Sequence, residues 1–364
     1  MSIPTHVAGT FVIHADASFL NGAGLGDGED RNVTIPKTLQ DGRNRVPYVS
    51  SQAWKRWLRS TLIAETGWPA SELRSIKESE KKTTSKISGE LNPVEFAEDD
   101  LFGYMRAQEG QGKQKKSEEL DTDEDESEAK AKPGAKTKSL MRSSPFSASL
   151  LVSVRKNGWK GRDEGFVHLK EGTPLPYTTE FYTTHLQGIF CLDHYRVGLF
   201  RNEGDRIELD EVLAKRCLAE GLVSQVTNGF EMANAEASRR LRSSELLKAL
   251  SVLRGGAKQA AFGTDVAPKC IIAAGLRCGN PIFNHLFADD HERGLCLKVE
   301  VLREVLADYA DRIITPVAVG IRSSYLANEE EVRSMQGVHE TPRGKVEVIV
   351  RTPREAAELI ASTL

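Results

Sequence analysis

The chain has 364 residues, with 49 Lys and Arg against 52 Asp and Glu and a formal net charge of -3. That length holds one large or two ordinary domains, and the charge balance excludes a uniformly basic nucleic-acid coat. Five scattered cysteines without a CxxC pair exclude a zinc ribbon and a disulfide framework and suit a reducing cytoplasm.

The start, MSIPTHVAGTF, has neither a basic n-region nor a long apolar run. No apolar segment approaches the roughly 20 residues of a membrane helix. The expectation is a soluble, cytoplasmic protein with no membrane association. Val7 to Ala17 is apolar and β-branched and predicts a strand. Asn21 to Gly28 follows with glycine at every second place, which suits a phosphate-cradling loop or a flexible hairpin. Its spacing does not match a dinucleotide fingerprint. Val33 to Ile35 is a short strand, and Asp41 to Arg45 is a turn carrying Arg43 and Arg45.

Val46 to Leu62 predicts an extended lead-in and then an amphipathic helix. Pro47 biases Val46 toward extended backbone, and Ser50 or Ser51 is placed to cap with its hydroxyl. Ala53, Trp54, Trp57, Leu58 and Leu62 recur at helical spacing, while Lys55, Arg56 and Arg59 fall on the other side. A second short helix is expected to run through Ile76, and another over Phe96 to Arg106. Residues 109–138 lose all hydrophobic pattern and hold an acidic and then a basic run, which reads as a solvated, mobile insertion.

Beyond it, Ser143 to Lys156 predicts a strand, with apolar residues dense from Phe146 to Val154. Thr178 to Val197 predicts one long strand or two broken near Gln187-Gly188. Helices are expected over Leu209–Glu220, Met232–Leu253, Leu297–Tyr309 and Pro353–Thr363. Strands are expected over Pro268–Leu276, Val317–Ile321 and Val346–Arg351. This mixed order predicts an α+β fold with a mainly antiparallel, ferredoxin-like sheet and a large insertion. Three parts follow: 1–66, an inserted 67–142, and 143–364.

Catalytic signatures are missing from the pattern. The histidines lack HxxxH or HExxH spacing, no GxSxG elbow occurs, and no metal or cofactor is expected. Asp27, Glu29 and Asp30 sit in the glycine loop, where they either hold a divalent cation or are solvated. The basic residues are more coherent. Arg43 with Arg45, Lys55 with Arg56 and Arg59, Arg239 with Arg240 and Arg242, and Arg254 with Lys258 form four clusters. Gly255 and Gly256, followed by Lys258 and Gln259, are placed to bring backbone amides and a lysine to one phosphate, a contact that gives affinity without sequence reading.

Three ordered motifs, Ala17–Gly24, Val46–Arg59 and Gly255–Gln259 before Thr264–Pro268, resemble the backbone subunit of type I CRISPR Cascade complexes in its DevR-like autoregulator branch. The resemblance spans roughly Val7 to Phe287 and does not extend to the acidic insertion. It implies an RRM-like palm, an inserted helical fingers region and a thumb-like hairpin, sought here between Gln187 and Arg201. It implies copies that polymerise along one guide RNA, present it for pairing with target DNA, and assemble with other Cascade subunits. Carried over by motif, Asn21 and Gly22 lie beside the guide. Ser50, Gln52, Lys55, Arg56 and Arg59 contact its phosphates, and Gly256, Lys258 and Gln259 form a second gripping turn. Sequence is then read by base pairing, so cations and amides suffice and no enzyme activity is expected. Two rivals stand beside this reading. One is a metal-dependent ribonuclease of the type III kind using the acidic trio, and the other is an autoregulatory protein.

Overall fold

A computed structural model describes residues 3–26, 32–72, 74–77, 85–88, 91–106, 139–155, 159–167, 170–173, 175–204, 206–290 and 294–364. The acidic trio and the 109–138 segment lie outside these residues. The fold is mixed α+β. Its chain divides into two compact units, one of 1–70, 145–197 and 236–364, the other of 71–144 and 198–235. Among the described residues, no helix is long and apolar enough to cross a membrane.

The first unit is built on the His6–Ser18 strand. On one side it pairs antiparallel with Leu175–Asp193, in register from His6 opposite Asp193 to Ala15 opposite Thr184. On the other it pairs antiparallel with Cys270–Leu276. Val317–Ile321, Gly344–Arg351 and Gly337–Thr341 extend the sheet one way, and Leu151–Ser153, Asn44–Val49 and Thr38–Asp41 the other. Side chains alternate across the first strand. Phe11 meets Trp54 of the Ser51–Thr66 helix edge-on, with ring centroids 5.3 Å apart. Val12 joins the opposite core with Cys270, Leu302, Leu306 and Val319. Both faces are therefore covered, which is why this strand reads as an almost unbroken apolar run.

The Ser51–Thr66 helix buries Trp54, Leu58, Thr61 and Leu62. Each large apolar side chain among them contributes about 1.5–3 kcal/mol. Gly67 closes the helix in the left-handed region, its N–H bonded to the Ile63 carbonyl. At the chain's end, Thr352 and Glu355 form a capping box on Pro353–Ala361.

The second unit holds a six-stranded sheet, a hairpin of Arg74–Lys77 with Ser85–Ser88, and the helices Ala97–Phe102 and Glu211–Ala219. Its small apolar core comprises Val94, Phe200, Leu209, Ala214, Cys217 and Val223. Beside it Arg142, fully buried, pairs with Asp100 and with Glu208 at 3.0 Å and lies 4.8 Å over the Phe200 ring.

Several expectations need correction. Arg74–Lys77 is a strand, not the end of a helix, because it pairs with Ser85–Ser88. The helix expected over Phe96 to Arg106 stops at Phe102, and Tyr104–Arg106 pairs with Ser139–Arg142. The single strand expected over Ser143 to Lys156 is two short strands, Phe146–Ala148 and Leu151–Ser153. Gln187–Asp193 runs inside the continuous Leu175–Asp193 strand, so no thumb-like hairpin lies there. By contrast, the hairpin alternative for the glycine-rich stretch agrees with the structure, where Gly22–Leu25 pairs antiparallel with Val33–Pro36.

Candidate nucleic-acid interface

The three sequence motifs meet in the first unit. The first strand ends in a register shift between Ala15 and Ser18, with Ala17 at φ 41. Such a bulge turns the chain out of the sheet. Thr183 Oγ1 accepts from the Ala17 N–H at 2.8 Å, and Ser18 Oγ lies 2.8 Å from Thr264 Oγ1. The redirected segment Phe19–Gly22 then touches both other motifs. The Ala257 N–H donates to the Leu20 carbonyl at 2.9 Å. Asn21 Oδ1 accepts from the Ser50 N–H at 3.0 Å, at the start of the helix.

The glycine turn lies against the same helix. A Cβ on Gly255 would come within 2.3 Å of the Trp57 side chain, and its φ of 153 is one that other residues rarely adopt. Gly256 is at φ 110, and a Cβ there would come within 2.6 Å of Gln259 and 2.7 Å of Leu20. Thr61 Oγ1 accepts from the Arg254 N–H at 3.0 Å. Close approach and positive φ together explain why two glycines stand here. Gln259 turns inward, its Nε2 donating to the Gly255 carbonyl, so this side chain locks the turn. Lys258 itself is left-handed, at φ 51. Its Nζ donates to Thr179 Oγ1 at 2.6 Å and lies 5.1 Å from the Phe19 ring centroid.

Ser50 occupies the N-cap, yet its hydroxyl does not cap the helix, contrary to the expected serine cap. No acidic residue stands in the first turn. Such a helix start carries partial positive charge and outward amides. Asn21 is committed to the Ser50 amide, and this role was not legible in the sequence.

Helical periodicity places Gln52, Lys55, Arg56 and Arg59 on one stripe. Gln52 and Arg56 are exposed, while Lys55 and Arg59 are half-buried. Burial lowers the Lys55 pKa, so a nearby anion would favour its charged form. Trp57 and Thr61, which carry the glycine turn, lie on the opposite flank of the helix. The cations therefore do not line one wall. They form two flanks with the uncapped helix start between them. Gly22 begins its strand beside Phe19.

Arg43 is exposed in the turn between Thr38–Asp41 and Asn44–Val49. Arg45 lies 3.8 Å from the buried Glu180, whose Oε1 has no hydrogen-bond partner. Lys160, whose pKa is lowered by burial and then by Arg45, belongs to the same group. Lys160, Thr179 and Glu180 went unrecognised in the sequence, because only long-range strand pairing brings them to the motif residues. Of the third cluster, Arg242 is buried, so Arg239, Arg240 and Arg242 do not form one exposed triplet. Among the described residues, no group of three His, Cys, Asp or Glu side chains is placed to hold a metal ion.

No protein-family model matches the sequence, and no curated protein matches it. Among solved structures, a chain of a "CRISPR RNA-guided surveillance complex, pre-nicking" shares the fold at TM-score 0.52 and 14% identity, over 99% of this chain and 100% of that one. A chain of a "CRISPR RNA-guided surveillance complex" aligns at TM-score 0.49 and 13% identity, again over 99% and 100%. The first of these likenesses carries the fold across the whole length of both chains.

Proposed function

We propose that this chain is a non-catalytic, guide-RNA-binding backbone subunit of a type I CRISPR Cascade complex, of the DevR-like branch. In this reading the first unit is an RRM-like palm, residues 67–142 are the inserted fingers, and copies polymerise along one guide in the cytoplasm. The thumb-like element is the hairpin of Trp159–Val167 with the start of Leu175–Asp193, where Phe166 and Tyr177 are exposed. Target DNA and other Cascade subunits are the remaining partners.

The observation that carries this reading is the uncapped, acid-free start of the Ser51–Thr66 helix, held by Asn21 and flanked by cations on one side and the glycine turn on the other. A phosphate chain crossing that start meets backbone amides and then Gln52, Lys55, Arg56 and Arg59 on one flank. On the other it meets Gly255, Gly256 and Lys258. Arg43 and Arg45 extend the path. None of these groups reads a base, which suits a protein whose guide does the reading.

The purified protein is expected to carry RNA, with a high 260/280 nm absorbance ratio that RNase lowers. Arg56→Glu with Arg59→Glu is expected to weaken RNA binding at all sequences and to reduce the salt slope by about 1 per lost phosphate contact. Protein that purifies without RNA and binds none at low salt would overturn the proposal.

A further inference from the structure

A second basic site lies away from the helix start, in the same unit. The Leu175–Asp193 strand carries Thr179, the partner of Lys258, near one end. At its other end it runs into the turn His194–Arg196. Thr179 and His194 are fifteen positions apart along this strand, roughly 50 Å at about 3.3 Å per residue. Here a cavity of about 270 Å³ opens between that turn, the residues before the first strand, and the Ala235–Ser251 helix.

Its walls hold Thr5, His194, Tyr195, Glu236, Arg239 and Arg240. The Arg239 guanidinium is held in place: its Nε donates to the Val197 carbonyl at 3.2 Å, and it sits 5.1 Å over the Tyr195 ring. Tyr195 is 56% exposed, an unusual place for so large an aromatic surface. Arg240 is tied to Glu236 at 3.2 Å, but both side chains are more than half exposed. Such surface pairs are worth little, so an incoming anion displaces the carboxylate at small cost. His194 is buried, with Nδ1 2.9 Å from Ser243 Oγ, and its pKa falls to about 4 through burial and then the two arginines. The imidazole is thus neutral at pH 7, and the field that keeps it so is the field an anion would occupy.

We propose that this pocket binds a single nucleoside phosphate, with the phosphate at Arg239 and Arg240 and the base against Tyr195. Two arginines alone would take any phosphate, but the exposed ring adds a stacking surface for a base, as aromatic side chains do in single-stranded recognition. The cavity is near the lower limit of small-molecule pockets, about 300 Å³, and so admits one nucleotide and not a run of them. The ligand is a free mononucleotide or the phosphorylated end of an RNA strand, which share this chemistry.

The test is calorimetric titration of RNA-stripped full-length protein with AMP, adenosine and inorganic phosphate. AMP is expected to bind once per chain, at least tenfold tighter than either fragment. Arg240→Glu is expected to weaken AMP at least tenfold, and Tyr195→Ala to reduce AMP to the affinity of inorganic phosphate. AMP should also raise the His194 pKa in an NMR titration, a readout that a merely structural arginine would not move. A 5′-phosphorylated RNA that displaces AMP identifies the strand end as the source, and failure to displace identifies the free nucleotide. AMP binding no tighter than phosphate, or unaffected by Arg240→Glu, overturns the proposal. Lys258→Glu should leave AMP binding unchanged, so failure of the guide-binding reading and failure of this site are separately visible.

Discussion

In the second unit Arg142 is wholly buried, its guanidinium divided between Asp100, Glu208 and the Leu199 carbonyl, with Phe200 beneath it. In the first unit Arg56 and Arg43 stand at the surface, above a core assembled from Phe11, Trp54, Phe146 and Phe190. A unit with a small apolar core uses its cation internally, where it organises three chain segments. The first unit also uses Arg155 and Arg242 internally, but its larger apolar core lets it keep Arg56 and Arg43 at the surface, open to a ligand. The same residue type thus has different consequences on mutation in the two units, and three experiments press on that difference.

The largest effect belongs to Arg142. Arg142→Ala removes the guanidinium that the buried Asp100 and Glu208 share, while Arg206 stays 3.2 Å from Glu208, and loss of one partner from a buried ion set costs about 3–5 kcal/mol. Urea unfolding should show that loss, while an Arg56→Ala control stays within about 0.5 kcal/mol. Equal effects from the two substitutions would erase the distinction between the units.

Next is acid. In the first unit His185 stacks on His14 with centroids 4.8 Å apart, and its Nδ1 lies 2.6 Å from the Tyr325 hydroxyl. Asp289, pinned at 2.9 Å and 3.0 Å by Arg155, lies 3.6 Å from Nε2. Burial, then the neighbouring His14, push the His185 pKa down to about 4, and Asp289 only partly opposes them. The folded pKa lies below the unfolded value of about 6.5, so between these limits the unfolded chain binds more protons. Stability is then full above about pH 6.5 and falls as pH drops toward 4, by about 3 kcal/mol for this group. His185→Gln should flatten that part of the stability–pH curve measured by urea unfolding. An unchanged slope would show that the histidine stack does not set the acid limit of the first unit.

Much of the first unit was legible because its signals are local. The apolar run at Val7, the periodicity of Trp54, Leu58 and Leu62, and the strand at Val317 each follow from spacing alone. Other features were legible and overlooked. The two-residue turn Thr227-Asn228, with Asn228 at φ 60, joins Val223–Val226 to Gly229–Met232, and an asparagine there is a hairpin cue. A third class had no local signal. Arg206 pairing in parallel with Ser139, and Lys258 reaching Thr179, depend on contacts 67 and 79 positions apart. The basic clusters were visible as composition, yet their division onto two flanks of one helix needed Trp57 beneath Gly255. Arg45 and Arg242 read as free cations, but one lies near Glu180 and the other is buried.

The smallest effect separates stability from binding most sharply. Gln52 is exposed in the first turn of the Ser51–Thr66 helix, where no acidic residue stands and the Ser50 hydroxyl does not cap. A carboxylate there complements the helix dipole, so Gln52→Glu should stabilise the first unit by about 0.3–1 kcal/mol. If the helix start exists to meet phosphate, the same substitution should weaken RNA binding, because the new charge occupies the field the ligand uses. Thermal melting and RNA titration on one protein sample would then move in opposite directions. A variant that melts higher and binds RNA as well as before would leave the bare helix start without a role. A stability gain alone would then have been available to this chain through a single side chain, with nothing to oppose it.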